Sequence, residues 1–131
     1  MKVLIDHGSQ SSAISEEALS RTGANKDIRP TNVKLTSAQG SVFDVKGRVG
    51  LELQIGKKDY GCDLVVTQIL LPSIDIILGN DFFSKYHTKL FTYPDKDPLF
   101  ILENHAIPLV KSNMTDKDLS NYQVFNIAQE E

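Results

Sequence analysis

An all-β, mostly antiparallel domain with one or two short helices is what this 131-residue sequence predicts. Three observations carry that expectation. Val49, Leu51, Leu53 and Ile55 alternate with Gly50, Glu52 and Gln54, the period of a half-buried strand. A short apolar run, Val3 to Ile5, ends at a polar turn, as a strand buried on both faces does, and a second buried run, Ile74-Asp75-Ile76-Ile77-Leu78, ends at Gly79. Glycine-bearing turns, Ala38-Gln39-Gly40-Ser41 and Gly56-Lys57-Lys58-Asp59, separate apolar segments at hairpin spacing.

In chain order, Val3 to Ile5 is the first strand, stopped by Asp6-His7-Gly8. Ser15 is placed to cap a short helix with Glu16 and Glu17 in its first turn, where the helix dipole favours acids, and Gly23 ends it. Val33, Leu35 and Ser37 alternate with polar neighbours and lead through the 38–41 turn to a return strand, Val42 to Lys46. The alternating strand ending at Ile55 turns at Gly56 and leads to a further apolar strand from Leu64 to Val66. After Ile74 to Leu78 and Gly79, a short helix runs to Tyr86, with Asn80 or Asp81 as its expected cap. Thr88 to Tyr93 and Leu99 to Glu103 read as two strands joined by Pro94-Asp95-Lys96-Asp97-Pro98. Residues 1–110 form the expected domain; 111–131 read as a C-terminal extension, either a helix from Thr115-Asp116-Lys117-Asp118 or a linker.

The totals narrow the function classes. Apolar residues make up 40% and charged residues 24%, a soluble globular balance. A net charge of −3 with scattered lysines gives no basic patch, so no nucleic-acid contact is expected. No apolar stretch is long enough to span a bilayer, and no membrane contact is expected. Cys62 is the only cysteine, so no internal disulfide forms, and its apolar surroundings read as packing. His87 and His105 share no metal-ligand spacing with Cys62, and neither a metal nor a cofactor is expected. There is no Gly-x-Ser-x-Gly elbow, P-loop or dinucleotide fingerprint.

The segment with chemical character is Asp6-His7-Gly8-Ser9. An Asp-x-Gly alone is an ordinary turn after a strand. Here it directly follows an apolar strand, small and hydroxyl residues come next, and about seventy residues later Ile77-Leu78-Gly79 precedes a helix. Leu4-Ile5-Asp6-His7-Gly8-Ser9 resembles the catalytic loop of the retropepsin-like aspartic peptidases of retroviruses, pararetroviruses and long-terminal-repeat retrotransposons. Ala13-Ile14-Ser15 resembles the strand after that loop. Ile77-Leu78-Gly79-Asn80-Asp81-Phe82-Phe83 resembles the family's second hallmark, an apolar pair, a glycine and a short helix. The resemblance covers Val3 to about Tyr93.

That resemblance implies an acid-protease barrel with one catalytic loop per subunit. Asp6 would be the catalytic carboxylate, with His7, Gly8 and Ser9 completing the active-site loop. Ala38, Gln39, Gly40 and Ser41 would form the flap over the substrate, and Ile76 and Ile77 would line a substrate pocket. Such chemistry needs a water between two carboxylates, one ionised and one protonated; the handling of a shared proton by aspartic protease dyads is a known case of like-charge coupling. One loop per chain implies a homodimer acting on a peptide or polyprotein, in the cytoplasm or within a virus-like particle.

The sequence departs from the family at two places. His7 stands where the family has Thr or Ser, whose hydroxyl bonds across the dimer. Only five residues precede Asp6, where the family usually carries a further strand or hairpin. Both departures favour a second reading, a catalytically impaired domain serving as a dimerisation or peptide-binding module. A third is an unrelated small β-domain.

Overall fold

The computed structural model describes residues 1–24, 27–35, 42–68, 73–109 and 123–126. The first strand, β1 (Lys2–Ile5), is followed by β2 (Ala13–Ser15) and the helix α1 (Glu16–Thr22). Ser15 caps α1 as expected: its backbone is extended and its hydroxyl accepts from the Ala18 N–H at 3.2 Å. Gly23 closes the helix in the left-handed region, its N–H donating to the Ser20 carbonyl.

A long hairpin follows, β3 (Val45–Ile55) and β4 (Lys58–Thr67), joined by Gly56 and Lys57. β3 thus joins only the end of the expected return segment, Val45 and Lys46, to the alternating strand. It bulges at Gly47, where φ is +151° and an added Cβ would lie 2.4 Å from the Arg29 carbonyl oxygen. Residues 33–35 are not part of a strand, although the Phe43 N–H donates to the Leu35 carbonyl at 2.9 Å. The 38–41 turn lies outside the described residues.

Then come β5 (Ile76–Leu78), α2 (Asn80–Lys85), β6 (Thr88–Phe91), β7 (Leu99–Leu102), β8 (His105–Pro108) and β9 (Gln123–Asn126). His105 opens β8 after a two-residue turn at Glu103 and Asn104; Glu103 takes φ +55° there without being glycine. That turn carries no glycine signal, which is why the third strand of this sheet escapes pattern reading. β9 lies within the C-terminal stretch and runs antiparallel to β1, Val3 opposite Phe125. The helix expected at Thr115 lies outside the described residues.

The strands make two sheets, one in the order β3-β4-β2-β5-β1-β9 and one in the order β6-β7-β8. Among the described residues, five of the seven strand pairings are antiparallel, so the all-β, mostly antiparallel class holds. The barrel is not closed. Closure would pair β3 with the far edge of the sheet; instead the outer edge of β3 exchanges backbone bonds with Arg29, and the β1 edge is taken by β9.

Central strands are buried on both faces. Val3, Ile5, Ile14, Leu64, Val66, Ile76 and Leu78 point into the main core with Phe82, Phe100 and Leu102. Leu4, Ala13, Val65, Ile74 and Ile77 form a second cluster, against which Val33, Leu35 and Val45 pack. At ~1.5–3 kcal/mol per fully buried aliphatic side chain, this two-sided burial of short strands is the main force holding them in register. Among the described residues, no helix is long and apolar enough to cross a membrane.

Candidate active site

The site follows from strand direction. β1 and β5 are parallel and in register, Ile5 opposite Leu78, so the segments after them emerge at the same end of the sheet. The first residues beyond each strand, Asp6 and Gly79, are therefore neighbours, and the Asp6 N–H continues the ladder by donating to the Leu78 carbonyl at 3.0 Å. β2 is antiparallel to β5 and begins at this end, which brings Ser12 to the same place.

Asp6 is buried, only 7% exposed. Its Oδ1 accepts the Gly8 N–H at 2.9 Å, and its carbonyl accepts the Ser9 N–H at 3.2 Å. A Cβ on residue 8 would stand 3.2 Å from the same Oδ1, so glycine allows the close approach. Burial raises the Asp6 pKa above the usual carboxylate value; the Gly8 and Ser9 amides and the charge of His7 pull it back only in part. The result is a carboxyl that keeps its proton to higher pH than an exposed one.

The loop 6–12 is fastened to α2. The Asn80 and Asp81 N–H groups donate to the carbonyls of Ser9 (2.8 Å) and Gln10 (3.1 Å), and the Asn80 amide donates to the His7 carbonyl at 3.1 Å. The Ser12 hydroxyl donates to Asp81 Oδ1 at 2.5 Å and accepts the Gly79 N–H at 2.9 Å. Asp81 also accepts the Ser12 N–H and the Phe82 N–H. Gly79 lies so close under the loop that a Cβ would meet the Ser9 carbonyl oxygen at 2.6 Å.

Neither Asn80 nor Asp81 caps α2 in the expected way. Gly79 occupies the cap position without a side-chain bond, and both residues lie in the first turn, where their polar groups serve the loop. Ser12, Asp81 and the close-packed Gly79 form the support that sequence reading missed. Ser12 and Asp81 are 69 positions apart, and no local pattern links them.

The other expected site residues separate. His7 is exposed, and its ring stacks on Phe83, centroids 4.4 Å apart. Ile76 lies fully in the main core, whereas Ile77 belongs to the second cluster beside Val33, Leu35 and Val45. Ala38, Gln39, Gly40 and Ser41 lie outside the described residues. Cys62 lines a cavity of about 150 Å³ with Ser12, Asp81 and Lys85, and burial pushes its thiol up to about 12.

A buried carboxyl on a tight glycine loop can hold and position a water for proton transfer, and one chain supplies one such group. Comparison with known proteins bears on family and fold. The sequence profile of the family described as "gag-polyprotein putative aspartyl protease" matches residues 1–85. No curated protein matches the chain by sequence. Among solved structures, the fold is similar to the crystal structure of the retroviral protease-like domain of Ddi1 from Leishmania major. The TM-score is 0.66 at 14% identity, covering 86% of each chain.

Proposed function

The chain belongs to the gag-polyprotein aspartyl protease family, and on that premise we propose that it is an aspartic endopeptidase that works as a homodimer. The observation that carries the proposal is the buried Asp6 carboxyl, braced by the Gly8 N–H on a loop that each chain has once. A second copy supplies the second Asp6, and the two carboxyls share one proton. The ionised one takes a proton from the attacking water; the protonated one donates to the carbonyl oxygen of the scissile bond. Burial that already raises Asp6 in one chain favours this singly protonated state.

In this reading the substrate is an extended peptide within a polyprotein, processed in the cytoplasm or a virus-like particle. Residues 38–41 cover it, pairing with its backbone as an added strand. Of the two isoleucines, Ile77 is the better placed to shape a pocket, since its cluster includes the residues leading into and out of that segment. A second reading, a module that binds peptide without cutting it, is favoured by His7 at the position next to Asp6.

Cleavage of a mixed peptide library from mildly acidic to neutral pH, with Asp6→Asn alongside, decides between them. Cleavage present in the native chain and lost in the variant supports the peptidase. Peptide binding without cleavage, at concentrations that drive association, supports the binding module.

A further inference from the structure

We infer that Phe83 is a positioning residue for the Asp6 loop, holding the His7 imidazole in a fixed stacked orientation within one chain. The kinetic part of this inference rests on the peptidase reading; the geometric part does not. The rings lie 4.4 Å apart and 23° from parallel, an offset-stacking geometry. Phe83 is itself anchored. It meets Phe100, wholly buried in β7, at 6.1 Å edge to face, and Phe82, buried in the main core, at 6.2 Å and 89°. An aromatic path thus runs from the core through α2 to the residue beside Asp6.

His7 is solvent-exposed, and an exposed side chain ordinarily samples several rotamers. The Phe83 ring under the imidazole opposes this, while the Asn80 amide on the His7 carbonyl fixes the backbone that carries the ring. Both belong to the chain that carries the loop. The hydroxyl expected at this position in related proteins would be held by the partner copy; the larger ring is held in cis. The loop geometry at position 7 therefore exists before any second copy arrives.

The experiment is to follow the His7 ring protons by NMR in the native chain, Phe83→Leu and Phe83→Tyr, with His7→Gln to assign them. Upfield ring-current shifts in the native chain and Phe83→Tyr that disappear in Phe83→Leu support the inference; equal shifts in all three overturn it. With cleavage measurable, Phe83→Leu lowers kcat by roughly tenfold or more, as misplacement beside reacting groups does, and Phe83→Tyr restores it. In that case KM and the monomer–dimer constant stay near native. An unchanged kcat after loss of the stack overturns the positioning role. Should the native chain cut no peptide, the peptidase reading fails and the ring shifts alone decide this one. Should Phe83→Leu not fold, the Phe83 ring protons in His7→Gln give the reciprocal reading: a shift relative to native supports the stack, and no shift overturns it.

Discussion

The Ser12 hydroxyl lies 2.5 Å from Asp81 Oδ1 and accepts the Gly79 N–H in the same place, so one buried serine joins the end of the Asp6 loop to the start of α2. Asp81 collects the Ser12 N–H and the Phe82 N–H as well. The Phe82 N–H also has the Gly79 carbonyl at 3.0 Å, so the carboxylate matters most as the acceptor for the N–H and hydroxyl of buried Ser12.

Removing that carboxylate is expected to be costly. Asp81→Ala leaves the Ser12 N–H and hydroxyl short of an acceptor and should lower stability by about 2 kcal/mol. Asp81→Asn keeps one oxygen acceptor and should lose about half as much. Urea unfolding of both variants checks the order; an alanine variant as stable as the native chain would show that water replaces the carboxylate.

Asp6→Asn should not destabilise the fold at neutral pH. The folded pKa of Asp6 lies above its unfolded value, so the folded chain binds the proton more tightly. Ionisation then costs stability as pH rises from the unfolded value of 3.8 through the folded one. Above that window Asp6→Asn, which carries no charge to bury, should equal or exceed the native chain in stability, and below it the advantage should vanish. Denaturant midpoints at pH 3 and pH 7 measure the difference; an Asn variant weaker at pH 7 would reverse the sign.

Gly79→Ala should damage the site support through sterics alone. The new methyl would lie 2.6 Å from the Ser9 carbonyl oxygen and 2.9 Å from that of Ser11, both backbone atoms with little room to retreat. Overpacking of this kind costs about 1–3 kcal/mol. Thermal unfolding reads the loss, and Gly50→Ala, where a methyl meets nothing within 4 Å, is the control.

Cys62 should behave as an inert thiol. With its pKa pushed up to about 12 by burial, almost none is thiolate at pH 8. Reaction with a disulfide reagent such as DTNB should be slow in the folded chain and fast once denaturant unfolds it. Rapid labelling of the native protein would contradict the burial.

By itself the sequence determined the strand-rich class, the Ser15 cap with its Gly23 stop, the two-sided burial of Val3 to Ile5 and the Asp6-x-Gly8 loop. Each of these is a local matter, encoded in the spacing of apolar residues or in the backbone freedom of one glycine. Only the tertiary structure decided what surrounds the loop. The parallel register of β1 and β5 sets Asp6 beside Gly79, the close approach of α2 turns Asp81 from an expected cap into the acceptor for Ser12, and Phe83 comes under His7 for the same reason. These contacts join residues about seventy positions apart. They depend on which strands pair and in which direction, and that choice is made by the burial of the whole sheet, to which no short stretch of sequence holds the key.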